Sequence, residues 1–171
     1  MRFIKLAIIS FIVLFLIITG IGLLLPSTVR VTRNITIPAT QDTLYHYVSD
    51  VKYWKLWMEV AKNSPVTFIS KKTAGAGTKA LIGKQRIDIT KATKNEVVTV
   101  WETGSGRFLT GVFQLADDRT TGSTNLNWYY EQQLNWYPWE RIASISNDKI
   151  IGPGMEQSLD NLKGIFEDGD K

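Results

Sequence analysis

No cysteine occurs in this 171-residue chain. Disulfides, thiolate nucleophiles and cysteine metal sites are therefore excluded, although the absence assigns no compartment. Histidine occurs once, at His46, so no histidine pair exists for a metal or a proton relay. His46 falls off the apolar stripe of its helix and reads as an exposed residue. Charge of one sign is also scarce. Of the 20 Lys and Arg, Arg2 and Lys5 precede an apolar run; the remaining 18 face 16 Asp and Glu, a net charge of +2. Lys71-Lys72 is the only basic doublet, so no nucleic-acid partner is expected. Gly75 and Gly77 lack a following G-K-[ST] and a βαβ unit, which excludes a nucleotide-binding loop. There is no G-x-S-x-G and no carboxylate pair at catalytic spacing. No catalytic residue, metal ligand or cofactor is therefore assigned.

Long uncharged runs are absent except for one. Leu6 to Leu25 carries no charge and is interrupted only by Ser10, Thr19, Gly20 and Gly22. As a helix it spans roughly 30 Å, the thickness of a bilayer's hydrocarbon core. A cleaved signal peptide is the rival reading; the run is long for one and no A-x-A-like site follows. The expectation is an uncleaved single-pass anchor over residues 1–25 and a folded domain over residues 26–171. Arg2 and Lys5 place the N-terminus in the cytoplasm and the domain outside it. Arg30 and Arg33 beyond the helix oppose that bias, but they belong to a folding strand.

The domain begins with alternation. Val29, Val31, Ile35 and Ile37 share one face of a half-buried strand, and Arg33 falls on the same face. An inward Arg needs a carboxylate, a bound anion or water; a twist that frees it, or a structural ion pair, is the plainer reading. After Pro38, Thr40 or Asp42 caps a helix running to about Ser49, with Leu44, Tyr47, Val48 and Val51 buried. A second short helix, Val51 to Glu59, puts Trp54 and Trp57 on one face. Strands follow at Val66 to Lys71, Thr78 to Gly83, Gln85 to Lys91, Glu96 to Thr103, Arg107 to Leu115 and Thr124 to Leu134. Turns at Ala74-Gly75-Ala76-Gly77, Lys94-Asn95, Gly104-Ser105-Gly106 and Gly122-Ser123 separate them. With no long internal helix, this pattern predicts an antiparallel meander. Met155, Leu159, Leu162 and Phe166 recur at helical spacing, so Pro138 to Glu167 reads as one amphipathic helix. Gly152-Pro153-Gly154 predicts a kink near Lys149 to Pro153.

The predicted fold class is α+β, a helix-grip: a seven-stranded curved antiparallel sheet, two short helices after the first strand, a long C-terminal helix and an N-terminal transmembrane helix. The stretch LLLPSTVRVTRNITIPATQDTLYHYVSDVKYWKLW resembles the opening of membrane-anchored bacterial members of the START-like (SRPBCC) polyketide cyclase/dehydrase and lipid-transport family. The shared features are an apolar helix, Leu-Pro, a strand with Arg then I-x-I, and a helix leading to W-x-x-W. NDKIIGPGMEQSLDNLK is similar to that group's C-terminal helix. The resemblance spans the chain and implies a hydrophobic ligand cavity between sheet and C-terminal helix.

Three functions remain open. The first is a tethered binding or carrier domain for a lipid or other hydrophobic small molecule. Its ligand-binding residues would come from Arg33, Trp54, Trp57, Trp101, Phe108, Phe113, Trp128, Tyr130, Met155 and Leu159. The second is a cyclase- or dehydratase-type enzyme drawing an acid or base from Asp88, Glu102, Glu131, Tyr130 or Arg33. An Arg33–Glu102 pair inside a cavity would favour it. The third is a protein-interaction domain with a filled core, favoured by a cavity well below ~300 Å³.

Overall fold

The computed structural model describes residues 2–102, 106–118 and 120–167. The uncharged run forms α1 (Arg2–Leu24), a helix long and apolar enough to cross a membrane. A short connection leads into β1 (Thr28–Ile37). Then come α2 (Gln41–Ser49), α3 (Val51–Trp57) and α4 (Glu59–Lys62). The Thr40 hydroxyl accepts from the Thr43 N–H and caps α2, and the Asp50 carboxylate accepts from the Lys52 N–H and caps α3. Both caps satisfy amides that the first helical turn leaves without partners.

The meander comprises β2 (Val66–Phe68), β3 (Lys79–Ile82), β4 (Gln85–Thr93), β5 (Glu96–Glu102), β6 (Phe108–Asp118) and β7 (Ser123–Gln133). The seven strands form one antiparallel sheet in the order β1-β7-β6-β5-β4-β3-β2. Two helices complete the chain, α5 (Pro138–Ser144) and α6 (Asn147–Glu167). The result is a helix-grip-like α+β architecture. One sheet face carries Val31, Ile37, Ile87, Ile89, Val97, Phe113, Leu115 and Leu126 against Leu44, Val48, Trp54 and Trp57 of the short helices and Met155, Leu159 and Leu162 of α6, all buried.

Three local expectations are corrected. The expected strand from Val66 to Lys71 ends at Phe68, because the Ile69 and Ser70 amides both turn to the single carbonyl of Lys79. The second short helix stops at Trp57 and a further turn, α4, follows it. The C-terminal helix is two helices, and the break lies at Ile145 and Ser146 rather than at Pro153. There the Ile145 amide bonds the Ile142 carbonyl at 3.3 Å and the Ser146 amide the Ala143 carbonyl at 3.1 Å, a tightened turn that ends α5. Pro153 lies inside α6, which runs through it from Asn147 to Glu167. The break follows the packing: α5 lies on α1, while α6 lies on β1, α3 and α4. The expected turn at Gly104-Ser105-Gly106 falls in part outside the described residues; Gly106 has the positive φ of 70° that only glycine adopts freely.

Candidate ligand pocket

Strand register defines two ends of the sheet. Thr28 starts β1 beside the end of α1 and pairs with Gln133. Successive antiparallel pairing brings Phe108, Glu102, Gln85 and Ile82 to the same end. Near that end an open pocket of about 530 Å³ lies between sheet and helices. Trp101 (β5), Leu109 (β6), and Trp128 and Tyr130 (β7) form its sheet wall. Ile151, Gly154, Met155 and Ser158 of α6 face them, and Met58 and Val60 close one side. Glu59, Asn63, Ser64 and Gln85 supply polar groups to the lining.

Behind this wall stands a continuous aromatic layer. Trp54 stacks on Trp101 with centroids 5.8 Å apart and planes 12° from parallel, and Phe113 stacks on Trp128 at 5.0 Å. Trp57 meets Phe113 and Trp128 edge-on at 6.1 and 6.0 Å. Offset and edge-to-face contacts suit the ring quadrupole, and they hold the wall in one arrangement.

The four buried indoles differ in one respect. Trp54 Nε1 donates to the Val48 carbonyl at 2.9 Å and Trp57 Nε1 to the Tyr47 carbonyl at 3.3 Å. Trp101 Nε1 donates to Thr99 Oγ1 at 3.0 Å, and that hydroxyl donates to the Gly111 carbonyl at 3.0 Å. Trp128 Nε1 is buried and has no acceptor among the described residues. A buried donor left unmade costs about 1–3 kcal/mol. It belongs to a side chain that lines the pocket. Beside it, burial pushes the Tyr130 phenol far above its ordinary range, so Tyr130 stays a neutral donor or acceptor at any physiological pH.

The expected site residues divide. Trp101, Trp128, Tyr130 and Met155 line the pocket together. Trp54, Trp57, Phe113 and Leu159 lie behind the lining in the core. Phe108 is exposed on the opposite sheet face, beside Arg86, Asp88 and Glu102. Phe108 and Phe113 differ in parity along one strand, so an unbulged β6 cannot turn both inward. Leu109 lines the pocket instead, and the period-2 rule applied from Phe113 identifies it. Ile151, four residues before Met155, was legible from helical spacing. Met58 was legible on the apolar face of the expected second helix beside Trp57, whereas Asn63 and Ser64 were not, because they sit at the end of α4 and in the loop after it. Arg33 is absent from the pocket. Its Nη1 donates to Asp148 at 2.8 Å and its Nε to Glu156 at 2.6 Å, joining β1 to α6.

Of the acid–base candidates, Tyr130 lines the pocket and the charged ones lie outside it. Asp88 sits 3.4 Å from Lys79, Glu131 pairs with Arg30 at 2.7 Å, and Glu102 lines a surface groove with Phe108. The Arg33–Glu102 pair that would favour enzymatic chemistry is not formed; Arg33 faces α6.

No family model matches the chain, and no curated protein matches it. Solved structures do. SA2116 of Staphylococcus aureus, a protein of unknown function, aligns with a TM-score of 0.63 at 14% identity, over 84% of this chain and 97% of that one. CalU16 of Micromonospora echinospora aligns at 0.55 and 15% identity, over 82% and 86%. DynU16, a protein of the dynemicin biosynthetic locus, aligns at 0.58 and 14% identity, over 82% of this chain and 48% of its own, so this chain spans about half its length. At these identities the likeness is one of fold.

Proposed function

We propose that this chain is a START-like (SRPBCC) domain, residues 26–171, which binds a lipid or other hydrophobic small molecule between sheet and α6. Residues 1–25 are its single-pass anchor, and Arg2 and Lys5 keep the N-terminus cytoplasmic and the domain extracytoplasmic. One observation carries the reading: two of the four buried indoles, Trp101 and Trp128, line the pocket, and of the four Trp128 alone has no acceptor for its N–H among the described residues. An apolar ligand with a carbonyl, ester or hydroxyl oxygen satisfies that donor when the side chains that seal the N–H from solvent part to admit it, while its body lies along Leu109, Ile151 and Met155. The volume of about 530 Å³ lies within the range of small-molecule sites, ~300–1,000 Å³, which speaks against a filled-core interaction module.

Native mass spectrometry of the detergent-purified full chain tests this. The expected result is a retained apolar mass that is weakened in Trp128→Phe, which keeps the ring and removes the donor. A chain that retains nothing, and gains no thermal stability from fatty acids or aromatic polyketides, overturns the reading.

A further inference from the structure

The lead-in to α5 and α5 itself expose an unusual run of large apolar side chains. Trp136, Tyr137, Trp139, Ile142 and Ile145 are between 37% and 67% exposed. The rings are ordered against one another. Trp136 and Tyr137 lie 4.9 Å apart, and Tyr137 stacks on Trp139 at 5.0 Å with planes 13° from parallel. A ring stack held open to water is costly unless something covers it.

What covers it follows from where α5 is fixed. Gly22, in the last turn of α1, packs so closely on Pro138 that a Cβ there would come within 2.8 Å of the proline ring. Arg141 Nη1 donates to the Gly22 carbonyl at 3.1 Å and the Leu25 carbonyl at 3.0 Å. The Gly22 carbonyl also accepts from the Leu25 amide at 3.3 Å, and both carbonyls lie at the end of α1, where helical donors run out and the negative end of the helix dipole falls. α5 is thereby held level with the last turn of α1. When the run starting at Leu6 fills a hydrocarbon core of roughly 30 Å, Gly22 to Leu25 lie at its far boundary. That depth, where apolar tails meet headgroups, is where Trp and Tyr rings are favoured, since each offers an apolar body and a polar tip. The surface also adjoins the pocket end of the sheet. Arg107, just before β6, donates to Glu140 of α5 at 2.9 Å, and Leu109 lines the pocket two residues later.

We infer that Trp136, Tyr137, Trp139, Ile142 and Ile145 form a docking surface for the bilayer that α1 crosses. It seats the domain in the headgroup layer and turns the pocket rim at Ser64 toward the same leaflet. An apolar ligand then passes between leaflet and pocket without crossing bulk water; this last consequence rests on the ligand reading above, whereas the docking rests only on the reading of α1 as an anchor.

The chain's lack of cysteine makes the test direct. Single-cysteine variants Ile145→Cys, Ser64→Cys and Lys72→Cys of the full chain carry a nitroxide and are reconstituted into phosphatidylcholine–phosphatidylglycerol vesicles. Lys72 lies in the β2–β3 connection, at the opposite end of the sheet. Relaxation by oxygen, which concentrates in lipid, is compared with relaxation by an aqueous nickel chelate. The Ile145 label is expected to favour oxygen, the Lys72 label nickel, and the Ser64 label to fall between them. Adding Trp136→Ser and Trp139→Ser shifts the Ile145 label toward nickel. An Ile145 label as open to nickel as Lys72, or shielded from both reagents by a protein contact, overturns the docking. A Ser64 label that behaves as Lys72 overturns the orientation of the rim. An oxygen-favouring Ile145 in a chain that retains no ligand upholds the docking and removes the ligand reading.

Discussion

The guanidinium of Arg33 occupies the space that a Cβ at Gly152 would need. β1 and α6 therefore meet through a glycine, and the Arg passes over it to reach Asp148 on one side and Glu156 on the other. The Gly-Pro-Gly triplet of α6 is thus a point of close approach to the sheet.

Substitutions at its two glycines should differ in sign. Gly152→Ala drives a methyl group into the Arg33 guanidinium and should destabilise the domain by about 1–3 kcal/mol, the usual range for overpacking. Gly154→Ala meets nothing within 4 Å and lies inside the same helix. It should stabilise by roughly 0.4–1 kcal/mol through the unfolded chain's lost freedom. Denaturant unfolding of the detergent-solubilised full chain reads both; equal effects would dissociate Gly152 from Arg33.

Acid should loosen the same junction. The hydrogen bond from Arg33 holds the Asp148 carboxyl below its ordinary 3.8. A carboxyl whose folded pKa is depressed contributes stability above its unfolded pKa and loses it as pH falls through the folded one. The denaturant midpoint should therefore be level near neutrality and fall below about pH 4. Asp118 is lowered too, by hydrogen bonds from Thr121 and Thr120, so the informative comparison is with Asp148→Asn. That variant should show the shallower acid limb, and an unchanged limb would contradict the assignment.

Trp54→Phe and Trp128→Phe remove the same atoms from equally buried sites with opposite hydrogen-bond consequences. The first leaves the Val48 carbonyl without its indole donor. The second removes a donor that has no acceptor among the described residues. In ligand-free protein, Trp54→Phe should be the more destabilising by about 1–3 kcal/mol. Ligand retention should follow the reverse order. Thermal unfolding of delipidated samples tests the first statement and native mass spectrometry the second.

Gly111 lets Tyr130 of the pocket and Thr99, the acceptor of the Trp101 indole, approach the strand. A Cβ there would lie 2.6 Å from Thr99 Oγ1 and 2.8 Å from Tyr130 Cε1. Gly111→Ala should displace the Tyr130 ring, strain the Trp101–Thr99 hydrogen bond and destabilise by about 1–3 kcal/mol. A variant with parental stability and parental ligand retention would show that the β6–β7 wall yields freely.

Much of this architecture was legible in one dimension. Alternation along β1 and β7 marked Val31, Leu126, Trp128 and Tyr130 as inward, because a pleated strand repeats every two residues whatever it packs against. The Met155-Leu159-Leu162 stripe marked α6, and the run from Leu6 marked α1. The glycine and Lys94-Asn95 turns counted the strands. Local periodicity carries these features, so a sequence states them outright.

Tertiary structure decided the rest. Arg33 lies on an apolar strand face in the sequence, and only the crossing of β1 by α6 supplied Asp148 and Glu156 and kept it out of the pocket. Two identical W-x-x-W indoles could have been wall or core; the carbonyls of Val48 and Tyr47, on a different helix, made both of them core. Trp128 became the distinctive indole because of what fails to surround it, which no spacing encodes. The break before α6 and the aromatic surface on α5 arose the same way, from Arg141 reaching the end of α1 across more than a hundred residues of chain. Period and turn chemistry are local properties and survive in the sequence. Which polar group finds a partner depends on contacts between distant segments, and these exist only once the chain has closed on itself.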